Sequence, residues 1–275
     1  MYRASVIISV YDNTRFLKLV LDSLLLQTEK NFEIIISEDG QSEAMKIFVE
    51  SYSFTNDYQH LTQEDKGWQK NKALNNAIRN AKSDWLIFVD GDCVLHPRFV
   101  EMHVRYADEK LILAGKRVKL DAETSVYLEN NFSEAIHRLQ TVFLKKLVFG
   151  KGKTGFIEES IFISPDGFLG FIPKARKANR LIGCNMSFSK KAIYAINGFD
   201  EEYKLPSVGE DTDLAWRFSA AGFPLKSVRN LAVQYHLHHK ENWNDNTVNK
   251  ARILKNQQEN RFFCANGLIL NKCSV

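Results

Sequence analysis

The segment Trp85-Leu86-Ile87-Phe88-Val89-Asp90-Gly91-Asp92 constrains the fold more than any other stretch. Five apolar residues run unbroken into two carboxylates separated by one glycine. An apolar run of this length, bounded by polar residues, fits a strand buried on both faces. Such a strand cannot hold an aspartate pair in its interior. The carboxylates therefore emerge at its carboxyl end, where open α/β sheets place their ligands. Two carboxylates this close repel each other, and a divalent cation relieves the repulsion. A hard, oxygen-ligating ion such as Mg2+ or Mn2+ suits them and is commonly shared with substrate phosphates. The competing reading is an acidic turn in which Gly91 supplies a positive φ.

The flanking sequence favours the sheet. Ser5-Val6-Ile7-Ile8-Ser9-Val10 is a β-branched run and reads as a buried first strand. Tyr11-Asp12-Asn13 breaks it, and Asp12 or Asn13 can cap the following helix. In that helix Phe16, Leu17, Val20, Leu21, Leu24 and Leu25 recur at three-to-four spacing. Phe32 to Ser37 is a second strand ending in the polar turn Glu38-Asp39-Gly40-Gln41-Ser42. Strand, helix and strand make a βαβ unit and so a parallel pair. A helix to about Ser51, a short strand over Tyr58–Leu61 and a helix over Lys70–Ala81 lead into the central strand. Pro97 suits the first turn of another helix, and Leu111 to Gly115 reads as a strand. The first 120 residues thus alternate β and α with polar turns after the strands, which describes a doubly wound α/β unit.

Phe132 to Phe149 reads as helix, and Lys151-Gly152-Lys153-Thr154-Gly155 as a basic loop without the Walker spacing. Leu181 to Phe188 is strand-like, and Lys190 to Ile196 is a short helix closed by Asn197-Gly198. Gly209-Glu210-Asp211-Thr212-Asp213 opens a helix that Gly222 closes. Acids at a helix start are ordinary dipole partners, but here they exceed what capping needs. Val228 to Tyr235 reads as one or two strands leading to His236-Leu237-His238-His239, and Val248 to Phe263 as a polar amphipathic helix.

The net charge of +4 does not by itself call for nucleic acid, and no nucleic-acid partner is expected. The charge distribution says more. Between Arg138 and Arg180 lie nine Lys/Arg (Arg138, Lys145, Lys146, Lys151, Lys153, Lys174, Arg176, Lys177, Arg180) against three acids (Glu158, Glu159, Asp166). This is either a solvated surface or a patch facing an anionic acceptor or an anionic membrane. Cys93, Cys184, Cys264 and Cys273 form no CxxC pair, so a reducing compartment is expected rather than a disulfide framework or zinc site. The chain opens directly into a strand, without signal-peptide regions in series, and contains no stretch of about 18 apolar residues. A cytoplasmic location is expected, with peripheral attachment at the inner face of the membrane.

Seven elements occur in the order found in a known family. They are Val6-Ile7-Ile8-Ser9-Val10-Tyr11-Asp12, Ser37-Glu38-Asp39-Gly40-Gln41-Ser42, Lys66-Gly67 through Lys72-Ala73-Leu74-Asn75, Phe88 to Cys93, Gly198-Phe199-Asp200-Glu201, Gly209 to Leu214, and Tyr235 to His239. Through them the chain resembles the GT-A glycosyltransferases of family 2, in the subgroup with a galactosyltransferase-type C-terminal segment. The resemblance implies a Rossmann-like, mixed but mainly parallel sheet with helices on both faces and a C-terminal acceptor-side segment. Residues 1–120 would form the nucleotide-sugar-binding part, 121–240 the acceptor-binding and catalytic part of the same domain, and 241–275 a helical extension.

The resemblance also implies roles. Tyr11 and Asp12 would sit at the nucleotide base, and Asp39 would hydrogen-bond the uracil. Glu38 departs from the aspartate usual there. Lys72 would lie near the donor's ribose or phosphates. Asp90, Gly91 and Asp92 would form the DxD element, contacting ribose and sugar and, through Asp90 and Asp92, holding the Mn2+ or Mg2+ that bridges the diphosphate. Asp211 would be the general base, with Glu210 binding acceptor or donor hydroxyls. His236 would be a further metal ligand, and His238 and His239 compete for any second histidine role. The implied reaction is inverting transfer from a UDP-sugar, with galactose or N-acetylgalactosamine first. The acceptor would be a bacterial cell-surface glycan or lipid-linked saccharide. Two alternatives are a sugar-nucleotide nucleotidyltransferase and a non-catalytic carbohydrate-binding protein of the same fold. The first would carry a glycine-rich basic signature after the first strand, where this chain has Tyr11-Asp12-Asn13-Thr14. The second would have lost the DxD or the base carboxylate.

Overall fold

The apolar run ending at Asp90 lies in the middle of a seven-stranded sheet. A computed structural model describes residues 1–149, 154–206, 210–240 and 246–269. The first half contains β1 (Ala4–Val10), α1 (Thr14–Leu25), β2 (Phe32–Glu38), α2 (Glu43–Ser51), β3 (Tyr58–Leu61), α3 (Lys70–Asn80), β4 (Trp85–Asp90), β5 (Cys93–Leu95) and α4 (Phe99–Arg105). There follow β6 (Ile112–Ala114), β7 (Val118–Lys119), α5 (Ala122–Asn130), α6 (Phe132–Phe149), a 3-10 turn (Ile157–Glu159) and α7 (Phe171–Ala175). The last part holds β8 (Met186–Ser189), α8 (Lys190–Tyr194), α9 (Asp211–Ala220), β9 (Leu225–Ser227), β10 (Gln234–His236) and α10 (Thr247–Gln258).

The large sheet runs β3-β2-β1-β4-β8-β6-β9. β1 is parallel to β2 and β4, β2 to β3, and β6 to β9, while β8 is antiparallel to both of its neighbours. A small sheet, β5-β10-β7, stands beyond the carboxyl end of β4. The continuous apolar strands follow from burial on two sides. Val6, Ile8, Ile34, Ile36, Ile87 and Val89 face Leu17, Val20 and Leu21 of α1, Met45 of α2 and Phe99 of α4. The alternate residues Ile7, Ile35, Leu86 and Phe88 face Leu74 and Ile78 of α3, Ile193 of α8 and Leu214 of α9. A third cluster packs Val94, Val118 and Tyr235 of the small sheet against Leu128 of α5 and Ile136, Leu139 and Phe143 of α6. Asn13 takes the α1 cap, its side chain accepting from Phe16 N at 3.0 Å.

Some expected elements are shorter. Leu181 to Asn185 is not strand: Asn185 N closes a turn on Ile182 O, and only Met186–Ser189 joins the sheet. Of Val228 to Tyr235, only Gln234 and Tyr235 fall in β10, because Leu231 N and Ala232 N both turn back on Val228 O. Pro97 lies ahead of α4, which begins at Phe99. The last helix stops at Gln258, just before Asn260 at φ 49°. Helix α5 was not expected. Asp121 caps it, accepting from Thr124 N at 2.8 Å. The expected three-part division meets a strand order that interleaves it, since β8 is hydrogen-bonded between β4 and β6. Lys151, Lys153, Gly209 and Cys273 lie outside the described residues.

Two histidines are built into this scaffold. His103 is fully buried between Ser187 Oγ at 2.8 Å and Asn185 Oδ1 at 3.1 Å, and burial pushes its imidazole down to about 3. His96 packs on Phe162 and is pushed down to about 4, chiefly by burial and then by Arg98. Unfolded histidine titrates near 6.5. Both folded values are depressed, so the unfolded chain binds more protons below that pH, and stability falls as pH drops from about 6.5 towards 3. Each residue removes about 2 kcal/mol between pH 7 and pH 5. Chemical-denaturation midpoints should therefore drop across this interval, and the slope should flatten in His103→Gln. A wild-type midpoint that stays level from pH 7 to 5 would contradict this account.

Candidate active site

The site sits where β1, β2 and β4 end together. Their register pairs Val10 with Glu38 and Ser9 with Asp90, so Tyr11 and Asp39 leave the sheet side by side and Gly91 one residue below them. A cleft of about 600 Å³ opens there, lined by Ser9 to Asn13, Phe16, Asp39, Gly67, Trp68, Lys70, Asp90, Gly91, Asp92 and His239. That volume suits a nucleotide-sized ligand. It lies on either side of β1, where the strand order reverses direction, as open α/β sheets require.

Gly91 has no positive φ among the described glycines, so the acidic-turn reading fails on that point. Its role is close approach. Its N–H donates to Ser9 O at 2.8 Å, and a Cβ there would lie 2.6 Å from Val10 Cγ1. The two aspartates it separates have different partners. Asp92 Oδ2 lies 3.4 Å from His236 Nε2 and 3.1 Å from His239 Nε2. Burial alone would raise the Asp92 carboxyl, but hydrogen bonds with the two histidines hold it well below the usual range. β10 carries His236 and pairs it with Cys93, the residue after Asp92. His238 is exposed, and its backbone N–H is tied to Ser125 Oγ.

Asp92, His236 and His239 fit a divalent cation. Their ligand atoms all lie within 4.8 Å of one another. Adjacent ligands about 2.1 Å from an octahedral centre stand about 3 Å apart, close to the two His–Asp separations. Two imidazoles beside one carboxylate favour Mn2+ over the strictly oxygen-seeking Mg2+.

Asp90 turns the other way. Its Oδ1 accepts from Lys70 Nζ at 2.9 Å, and Lys70 also lies 2.7 Å from Glu210 Oε1. Burial would lower the Lys70 ammonium, but Asp90 and Glu210 outweigh it and hold it well above its ordinary value. Burial raises the Glu210 carboxyl against the pull of Lys70. Glu210 fits because residue 183 is glycine: a Cβ there would sit 2.3 Å from Glu210 Oε1. The neighbouring Asp211 accepts from Gly183 N at 3.3 Å. Asp213 is structural, locked to the buried Arg217 at 3.1 Å and to Tyr203 OH at 3.0 Å.

Of the remaining expected site residues, Asp39 is buried at the cleft floor, with Gln63 Nε2 on Oδ1 at 2.7 Å and Gln69 N on Oδ2 at 2.8 Å. Asp12 and Tyr11 line the rim, the Tyr11 hydroxyl donating to Asp65 at 2.9 Å. Lys72 is exposed on α3 and does not line the cleft. Lys70 and Gly183 carried no role in the sequence reading. Position just after the Gly67 loop, at the head of α3, was the signal that could have singled out Lys70. Asn75 ties two of the sequence motifs together in space. Its Nδ2 donates to Phe199 O and its Oδ1 accepts from Phe199 N, at 2.8 and 2.9 Å, fixing α3 to the Gly198-Phe199 turn. Cys93 and Cys184, distant in sequence, meet beside Asp90 as free thiols.

A family model, glycosyl transferase family 2, matches residues 5–193. The chain belongs to glycosyl transferase family 2. A second model, the N-terminal domain of galactosyltransferase, matches residues 173–240 and so covers Glu210, Asp211 and His236. This family 2 chain is 26% identical to a chondroitin synthase of Escherichia coli over 256 residues, which span 90% of it and 36% of that protein. It is 26% identical to a hyaluronan synthase of Pasteurella multocida over 274 residues, spanning 93% and 27%. The chain therefore spans roughly a third of the length of these relatives. Among solved structures it resembles a mannosyltransferase of Pyrobaculum calidifontis in complex with GDP-Man and Mn2+ (TM-score 0.57, 14% identity, covering 92% of this chain and 61% of that one). It also resembles GalNAc-T7 with UDP, GalNAc and Mn2+ (TM-score 0.60, 12% identity, 92% and 47%). These likenesses carry the fold, which is GT-A.

Proposed function

We propose that this family 2 chain transfers a sugar from a UDP-sugar to a hydroxyl of a saccharide acceptor by a single inverting displacement. The convergence of Asp92, His236 and His239 at the mouth of the cleft, two positions along from Asp90 of the Asp90–Lys70–Glu210 chain, carries the reading. On this reading a cation site and a base region lie on opposite sides of one short segment. Tyr11, Asp12 and Asp39 take the uracil end of the donor, and Asp90 takes ribose and sugar hydroxyls. Asp92, His236 and His239 would hold Mn2+, or Mg2+ less well. When bound, the cation neutralises charge that builds on the departing diphosphate. Lys70 is the cation of the chain itself that we assign to the phosphates, in place of the exposed Lys72.

An acceptor hydroxyl is a poor nucleophile until a carboxylate takes its proton. We assign that proton to Asp211, which the Gly183 N–H orients. Glu210, held by Lys70, binds hydroxyls beside it. Galactose or N-acetylgalactosamine is the donor sugar we expect, with a bacterial cell-surface glycan or lipid-linked saccharide as acceptor. No described helix is long and apolar enough to cross a membrane. We place the chain in the cytoplasm, acting at the inner face of the membrane. The test is a panel of UDP-sugars incubated with Mn2+ and assayed for slow UDP release without acceptor. One or two sugars should be turned over well above the rest. UDP release from none of them, with or without oligosaccharide acceptors, would overturn the reading.

A further inference from the structure

Among the described residues, Phe168 is 94% exposed, the most exposed aromatic side chain. It does not stand alone. Leu169 is 48% exposed and Phe171 63%, so three large apolar side chains project within four residues. None lines the donor cleft. A soluble surface rarely presents such a group without a partner.

The segment that presents them is firmly built. Asn230 holds both of its ends: its backbone O accepts from Ile163 N at 2.8 Å, and its Oδ1 accepts from Arg176 Nε at 3.0 Å. Within the loop, Gly167 N turns back to Ser164 O and Gly170 N to Gly167 O. Gly170 cannot be replaced without collision, since a Cβ there would lie 2.4 Å from Pro165 O. Pro165 and Pro173 are buried beneath the tip. The three side chains are thus held outward by a fixed backbone.

Two of the three acids in this part of the chain are paired with arginines, and the third, Glu158, is exposed. The tip's acid, Asp166, is taken up by both terminal nitrogens of Arg105, each at 2.6 Å. Glu159 is taken up by Arg229 and Arg176. Lys174, Lys177 and Arg180 are exposed and make no ion pair among the described residues. Exposed apolar side chains followed in the chain by exposed cations match the boundary of an anionic bilayer, where the apolar groups enter the acyl region and the cations meet headgroup charge.

We propose that the 163–176 loop is a membrane-docking tip, in which Phe168, Leu169 and Phe171 enter an anionic lipid surface and Lys174, Lys177 and Arg180 bind its headgroups. The tip gives the basic stretch noticed in the sequence a defined point of insertion. It does not depend on the transferase reading.

Sedimentation of the full chain with vesicles tests it. The chain should pellet with vesicles of equal parts phosphatidylglycerol and phosphatidylcholine at low salt, and at least about tenfold less with phosphatidylcholine alone or at high salt. The triple change Phe168→Ser, Leu169→Ser and Phe171→Ser should weaken binding at least about tenfold, and so should Lys174→Glu with Lys177→Glu. Thermal midpoints report whether each variant is folded. If the apolar variant misfolds, the charge variant decides. Absence of wild-type binding to anionic vesicles at low salt would overturn the proposal. So would undiminished binding by the folded variants, or a concentration-dependent dimer lost in the apolar variant with no vesicle binding, which would make the tip a self-association face.

Discussion

Asp211→Asn should lower sugar transfer about a thousandfold while leaving UDP affinity within a few fold. The size comes from the usual contribution of a positioned general base, about 10²–10⁴-fold. The separation of effects comes from geometry. Asp211 does not line the donor cleft, and the hydrogen bond that ties it to the site is the 3.3 Å bond from Gly183 N. An asparagine keeps a carbonyl oxygen for that N–H, so the local structure survives and only proton acceptance is lost. Single-turnover transfer assays together with titration calorimetry of UDP separate the two quantities. Turnover near that of the unsubstituted chain would remove Asp211 from the role of base. Glu210→Gln is the informative neighbour. It takes one of two counter-charges from the half-buried Lys70, so it should disturb donor binding as well as transfer.

Chelation should abolish activity, and Mn2+ should restore it at lower concentration than Mg2+. The ligand set behind this is one carboxylate oxygen and two imidazole nitrogens. Mg2+ gains little from imidazole, whereas Mn2+ accepts it. Removing a single outer-shell partner commonly costs 10–100-fold in metal affinity, so His236→Ala or His239→Ala should raise the Mn2+ requirement by at least about 100-fold. His238→Ala should leave it unchanged, because that side chain is exposed and outside the cluster. Metal titrations of UDP release are the measurement. Full activity in chelator, or a His238→Ala variant as impaired as His239→Ala, would defeat the assignment.

The sheet was legible because its parallel strands are covered on both faces. Val6 to Ile8, Ile34 to Ile36 and Trp85 to Val89 must then be apolar throughout, and a run of that kind has few other uses. The same rule misled at Leu181 to Asn185 and at Val228 to Val233. Most of those residues are also apolar or small, apart from Arg229 and Asn230, but their backbone serves the site and the turns. Gly183 N is committed to Asp211, and the Asn185 side chain to Lys116 O and Ala232 O. Helix α5 escaped because Ala122 to Asn130 lacks a clear apolar stripe. In the candidate site, Asp90-Gly91-Asp92 and the helix-opening acids stand out in the local pattern. Lys70 does not, because its meaning comes from two carboxylates 20 and 140 positions away. The ranking of His239 over His238 likewise needed the direction in which the chain leaves β10.

The place of β8 bears on how such enzymes can be recombined. This strand comes late in the chain, yet it fills the gap between β4 and β6, pairing Phe88 with Met186 and Leu113 with Ser187. A chimera joined near residue 120 would therefore import a structural strand along with any new acceptor surface. Its Phe188 must stack on the recipient's Phe88 at a centroid distance of 4.9 Å, two residues before Asp90. On the proposed assignment of the acceptor side to residues past 120, that part is not a detachable cassette. Acceptor preference is better altered by grafting loops onto an unchanged β8.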